Sequence, residues 1–140
     1  MLKRTSIRTK AKVDFQDITR QVQEMVTASG IGSGVCHVFV PHTTAAVTIN
    51  EHADPSVVED IAAQLEALIP QHSQYRHLEG NAPAHIKASL LGSCQTLMVD
   101  DGRLVLGTWQ GVFLCEFDGP RDRTVMLKIM PDKPWAAAQG

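Results

Sequence analysis

Six histidines in 140 residues are the chemical oddity of this chain. Three of them, His72, His77 and His85, fall within fourteen positions. A neutral imidazole is the commonest side-chain ligand for zinc-class ions, and three around one ion leave a fourth position for water or substrate. His42 directly follows Pro41 at a strand end and can join such a set. No two histidines sit four apart, so only the fold can bring ligands together. Solvent-facing loop histidines are the blander reading of the same pattern. His37, inside an apolar run, reads as a core or interface histidine, and His52 and His72 read as surface residues.

Other groups of chemical interest lie nearby. In Glu79-Gly-Asn-Ala-Pro-Ala-His85, Gly80 permits a positive-φ bend and Asn81 precedes a helix opened by Pro83. Free N–H groups at a helix start attract anions, so a phosphate or carboxylate could sit against Asn81 and Ala84; a capped helix is the plain alternative. Glu116 and Asp118 are two apart and share one face of a strand, opposite Phe113, Cys115 and Phe117. With Gly-Pro-Arg121-Asp-Arg123 they place acids and guanidiniums in one turn, which suits a cation and a phosphate or, more simply, a salt-bridged sheet edge. Trp109, within Gly107-Thr-Trp-Gln-Gly111, either offers an aromatic face to a ring-shaped ligand or packs in the core.

Much else is excluded. There is no G-x-S-x-G, Walker A, G-x-G-x-x-G or H-E-x-x-H motif. Ser89 and Ser93 have no activating neighbours, so covalent serine or cysteine catalysis is not expected. Cys36, Cys94 and Cys115 are odd in number and widely spaced, with no Cys-x-x-Cys, and read as reduced core thiols. A net charge of −2 argues against a general nucleic-acid partner. No apolar run is long enough to cross a membrane, no signal-peptide h-region follows the charged N-terminus, and Trp135–Gly140 carries no lipidation motif. A cytoplasmic protein without membrane or nucleic-acid partners is expected.

These groups need elements to hold them. At this length a single domain over 1–140 is expected, burying roughly 68–70% of its unfolded surface. Residues 2–10 read as an amphipathic strand. Asp14 or Asp17 caps a helix running to Ser29, with Ile18, Val22, Met25 and Val26 inward and Gly30 as its stop. Residues 34–50 read as two strands around Pro41-His-Thr, the first apolar on both faces apart from His37. Asp54-Pro55 opens a second helix, with Val58, Ile61, Ala62, Leu65, Leu68 and Ile69 inward and Pro70 at its end. A third runs from Asn81 to Gly92 with Ile86 and Leu90 inward. Cys94–Val99 and Arg103–Leu106 form a hairpin about Asp101-Gly102. Trp109–Phe117 and Thr124–Met130 complete the strands. The pattern is α+β: about seven mostly antiparallel strands and about three helices in a compact sandwich.

Several stretches taken together resemble one family. They are Pro41-His-Thr-Thr-Ala-Ala-Val-Thr-Ile-Asn-Glu51, Asp54-Pro, Tyr75-x-His77-x-Glu79-Gly-Asn-Ala-Pro-Ala-His85-Ile-Lys-Ala-Ser89, Leu106-Gly-Thr-Trp-Gln-Gly111 and Glu116-Phe-Asp-Gly-Pro-Arg121. In order and spacing, over nearly the whole chain, they are similar to the YjbQ-like family of small bacterial and archaeal proteins. Members are often named secondary thiamine-phosphate synthase. The resemblance implies a two-sheet sandwich assembled as a homotrimer, with a cleft near a subunit interface. It implies a divalent metal, zinc or magnesium, on His42, His77 and His85. Glu79, Asn81, Trp109, Glu116, Asp118 and Arg121 are then expected around a small phosphorylated substrate. Asn81, Glu116, Asp118 and Arg121 would be catalytic, and Glu79, Asn81, Trp109 and Arg121 would bind substrate. The implied activity is weak: it joins hydroxymethylpyrimidine diphosphate to thiazole phosphate and releases pyrophosphate. A non-catalytic binding module for a phosphorylated metabolite and a metal-dependent hydrolase are the alternatives.

Overall fold

β-rich stretches dominate the chain, and every strand pairing they make is antiparallel. The computed structural model describes residues 1–133; Trp135–Gly140 and the end of the expected 1–140 domain lie outside the described residues. The strands are β1 (Leu2–Arg8), β2 (Asp14–Asp17), β3 (Gly34–Phe39), β4 (Ala45–Glu51), β5 (Cys94–Asp100), β6 (Arg103–Leu104), β7 (Gln110–Glu116) and β8 (Asp122–Pro131). The helices are α1 (Thr19–Ser29), α2 (Pro55–Leu68) and α3 (Ala82–Leu91). One sheet has the order β1-β8-β3-β5-β6 and the other β2-β7-β4. This is the expected α+β sandwich, with one strand more than expected.

The extra strand is β2. Helix periodicity extends back through Ile18, but Asp14–Asp17 pairs with Phe113–Glu116 and sends Phe15 against Phe117, edge to face at 5.8 Å between centroids. The α1 helix therefore starts at Thr19 with Ile18 at its cap position. Asp17 serves it from one residue further out, accepting the Thr19 N–H at 3.0 Å and hydroxyl at 2.5 Å. Gly30 ends α1 in the left-handed conformation, as expected. Asp54 caps α2 through the Ser56 N–H at 2.9 Å. Asp101 and Gly102 both take positive φ, the turn a two-residue hairpin requires.

Two layers of core follow from alternation along β7. Val112 and Leu114 face the larger sheet and α1, buried with Val22, Val38, Leu97 and Leu127. Phe113, Cys115 and Phe117 face the other way, under α2 and α3. The β3 strand does not behave this way. Cys36 and Val38 are buried, but Val35 and His37 are half-buried and Phe39 is exposed, because among the described residues no helix covers the outer face of the larger sheet. The apolar run from 34 to 40 is thus one core face and one bare face, not a strand buried on both sides. Helix α3 is likewise rotated from expectation. Ala84, Lys87 and Ala88 point inward, while Ile86 and Leu90 are exposed.

Burial tends to raise the Asp17 carboxyl, but the Thr19 hydroxyl and N–H and His52 more than reverse this, holding it below the ordinary carboxylate value. A lowered carboxylate contributes stability that is complete above its unfolded value of about 4 and is lost as pH falls through the folded one. The melting temperature of Asp17→Asn should therefore lie below wild type at pH 7, and the gap should close below about pH 4. A gap independent of pH would contradict this.

Candidate functional site

Helix α3 organises most of the residues singled out above. Gly80, at φ 80°, turns the chain into it, and Gly92, at φ 92°, turns the chain out. Its small inward residues Ala84 and Ala88 let it lie close on Phe113, Cys115 and Phe117. A recess opens on each side of it.

The first recess, of about 490 Å³, is lined by His42, Thr43, His85, Ser89 and Ser93 among others. His77 meets His85 edge to face, ring centroids 5.2 Å apart, and its Nε2 lies 3.8 Å from a Glu79 carboxylate oxygen. His42 is held differently: its Nε2 accepts the backbone N–H of Thr124 at 2.9 Å. Burial pushes this imidazole below the ordinary histidine value, and the nearby charges of Arg123 and Arg121 add to that against the pull of Glu116. The ring is therefore neutral at pH 7, with its proton on Nδ1.

The second recess, of about 390 Å³, is lined by Lys12, Glu66, Asn81, Lys87 and Asp118 among others. Asn81 Nδ2 donates to Asp118 Oδ2 at 2.9 Å, while Asn81 Oδ1 is buried without a partner. Asp118 also holds Arg121, whose Nε donates to the Asp118 carbonyl at 2.9 Å and whose Nη2 reaches its carboxylate at 3.2 Å. Half of the Arg121 side chain stays exposed, with donors left for an anion. Lys87 is buried, bonded to Glu66 at 2.5 Å and 5.9 Å from the Phe117 ring centroid.

Four expectations change here. Glu116 is not on a polar face beside Asp118; it is fully buried. One oxygen accepts from Thr9 Oγ1 at 2.8 Å and Arg123 Nε at 2.8 Å, the other from Arg123 Nη2 and the N–H groups of Phe117 and Asp118. Both are spent, so Glu116 is a structural anchor and not a catalytic group. At the α3 start, Pro83 has no N–H and the Ala84 N–H turns back to the Asn81 carbonyl at 3.0 Å, so the expected phosphate cradle against Asn81 and Ala84 does not form. Trp109 lies just before β7 and Asp118 just beyond its end, roughly 30 Å apart along an extended chain at ~3.4 Å per residue. Within one chain it belongs to a different end of the molecule. Trp109 is 62% exposed, so core packing does not explain it.

The fourth concerns metal. Among the described residues, no three His, Cys, Asp or Glu side chains converge to hold an ion. A neutral imidazole has one acceptor nitrogen, and His42 spends it on Thr124, so His42 brings no lone pair to a metal. Two imidazoles, His77 and His85, remain. They suit a zinc-class ion in donor type, and magnesium poorly, but one chain does not assemble the expected three-histidine centre.

Comparison with known proteins supports the resemblance noted in the sequence. A family model described as UPF0047 protein YjbQ-like matches residues 3–132. The chain belongs to the YjbQ-like (UPF0047) family. Among its relatives are the UPF0047 protein YugU of Bacillus subtilis, 47% identical over 93% of this chain and 99% of that protein, and a UPF0047 protein of Methanocaldococcus jannaschii, 48% identical over 95% and 96%. A crystal structure of an uncharacterised conserved member from Clostridium acetobutylicum matches with a TM-score of 0.90 at 50% identity, covering 91% of this chain and 99% of that one. A YjbQ-like protein of unknown function from Sulfolobus solfataricus matches at 0.90 and 36% identity, covering 94% and 97%.

Sequence reasoning passed over Lys87 and the role of Arg123 in this YjbQ-like site. The signal for Lys87 was present: it stands at an inward step of the stripe Ala84–Lys87–Ala88–Leu91. For Arg123 the signal was the run of acids and guanidiniums from Glu116 to Arg123; its plainer reading, a salt bridge, is the one that forms, though buried and not at an edge.

The thiols stay outside the chemistry. Burial pushes Cys36 up to about 11 and Cys115 higher still, whereas Cys94 is exposed, against its reading as a core thiol. A thiol reagent at pH 8 should modify Cys94 alone in the folded chain and all three after unfolding. Rapid labelling of Cys36 or Cys115 in the folded protein would contradict their burial.

Proposed function

We propose that this YjbQ-like protein is a small homotrimeric transferase that joins hydroxymethylpyrimidine diphosphate to thiazole phosphate and releases pyrophosphate. The reading rests on the family resemblance. The observation that carries it is the gathering of anion-fixing groups around α3 with no activated nucleophile: Arg121 tethered by Asp118, Lys87 and Lys12 in the adjoining recess, and neutral His42. A transfer of this kind asks for those groups. As the bond to the pyrimidine methylene breaks, its electron pair leaves with the diphosphate, and fixed cations stabilise the growing charge. The acceptor ring supplies the new bond's electrons, so no protein nucleophile takes part. Arg121 is assigned to the diphosphate, and Nδ1–H of His42 to a phosphate oxygen. Asn81 and Asp118 orient the substrate, and Glu79 positions His77. A zinc-class ion on His77 and His85, its set completed from outside this chain, would add Lewis-acid help at phosphate oxygens.

Trimerisation is supported by two exposed faces that carry large apolar side chains and differ in make-up. One is the outer face of the larger sheet, with Leu2, Phe39, Met98 and Met130; the other, outside α2 and α3, carries Leu68, Leu78, Ile86 and Leu90. Two unlike faces suit head-to-tail contacts that close into a ring. A binding module is the second reading, favoured by Glu116, whose spent oxygens remove one candidate base.

Incubation with both substrates should yield thiamine phosphate and pyrophosphate, and Arg121→Ala should lower the rate about 100-fold. Binding without product would favour the module, and phosphate release from single substrates a hydrolase. His77→Ala and His85→Ala should each lose bound zinc by metal analysis; unchanged content in both would remove the metal. Light scattering at micromolar concentration should give the mass of three chains, and Met98→Lys should shift it towards one. A monomeric wild type would contradict the assembly.

A further inference from the structure

The end of the small sheet far from α3 holds a second cluster of chemical groups. Three strands end or begin there. β2 finishes at Asp17, β4 runs out just before His52, and β7 starts just after Trp109. His52 Nδ1 lies 2.8 Å from Asp17 Oδ2. The other Asp17 oxygen is fixed by the Thr19 hydroxyl and N–H, so the carboxylate cannot swing away. The His52 backbone N–H donates to the Trp109 carbonyl at 2.9 Å. Its ring lies on Gly111, where a Cβ would collide with the imidazole. The imidazole is thus held by Asp17 and by the Gly111 backbone, on a main chain itself tied to Trp109, which a plain surface histidine does not require.

We infer that Asp17 and His52 form a proton-accepting binding site, separate from the α3 site, for a flat small molecule bearing an acidic O–H or N–H. An ionised carboxylate at Nδ1 keeps the proton on that nitrogen and leaves the Nε2 lone pair outward. The lowered pKa of Asp17 keeps the carboxylate ionised at neutral pH. His52 lines a recess of about 610 Å³, the size of a small-ligand site, with Thr19, Arg20, Leu104 and Leu106. Leu104 and Leu106 supply an apolar shelf. Arg20 keeps free guanidinium donors, since only its Nε pairs with Glu24. The exposed Trp109 leaves the same end of the sheet and offers a face on which a ring can stack. A group on that ring that donates a proton or a hydrogen bond meets Nε2.

Long-range proton–nitrogen NMR of the full chain at pH 8 tests this. His52 should show the Nδ1–H tautomer with an unprotonated Nε2, whereas free imidazole favours a proton on Nε2. Asp17→Asn and Gly111→Ala should each return His52 towards the free-imidazole pattern while the His37 resonances stay in place, which reports an intact fold. Phenol, a ring with a proton to share, should shift the His52 Nε2 signal, and anisole, the same ring without it, should not. An Nε2–H tautomer in the wild type, a tautomer unmoved in both variants, or equal responses to phenol and anisole would overturn the inference. None of these readouts involves the transfer reaction, so failure here and failure of the proposed activity are distinguishable.

Discussion

A fully buried carboxylate facing a buried guanidinium, Glu116 with Arg123, is the constraint on which the rest of this molecule depends. Removing such charges from water costs several kcal/mol per ion, offset here by partners at both carboxylate oxygens and at Nε and Nη2 of the guanidinium. Those partners tie the strand ends together. Thr9, just after β1, donates its hydroxyl to Glu116 and accepts the Arg121 N–H at 2.9 Å. Glu116 also takes the N–H of Asp118. Arg123 reaches across to Thr44, hydroxyl at 2.7 Å and carbonyl at 3.2 Å, just before β4. One ion pair thereby joins both sheets at the edge where the α3 site lies.

The site inherits its geometry from that anchor. Asp118 and Arg121 leave the chain within five residues of Glu116, with their backbone N–H groups bonded into the network. His42 is two residues from Thr44, and its ring is pinned by the N–H of Thr124, next to Arg123. Burial is the main force against a second proton on His42; within the anchor the Arg123 charge adds to it and the Glu116 charge opposes it. A group that looks catalytic in the sequence is the one that holds the others in place.

Much of the fold was legible from local rules. Asp54-Pro55, Gly30, Asp101-Gly102 and Gly92 act through their own backbone preferences, and each element boundary they mark is found. What was not legible depends on partners distant in the chain. β2 is a strand because Phe113–Glu116 pairs with it, against a helical pattern continuing from α1. Residues 34–40 look buried on both faces because the sheet's bare face is also apolar. Within the site, His77 and His85 meet as their motif suggests, and Asn81, Asp118 and Arg121 cluster. Glu116 and Trp109 do not join them. A two-residue spacing reports which face a carboxylate takes, but not whether that face meets water or a buried arginine.

Urea unfolding of Arg123→Met against wild type tests the anchor most directly. Leaving Glu116 buried and unpaired should lower the unfolding free energy by roughly 3–5 kcal/mol. A variant within about 0.5 kcal/mol of wild type, the range of an ordinary surface substitution, would contradict the claim that this pair holds the sheets and the site together.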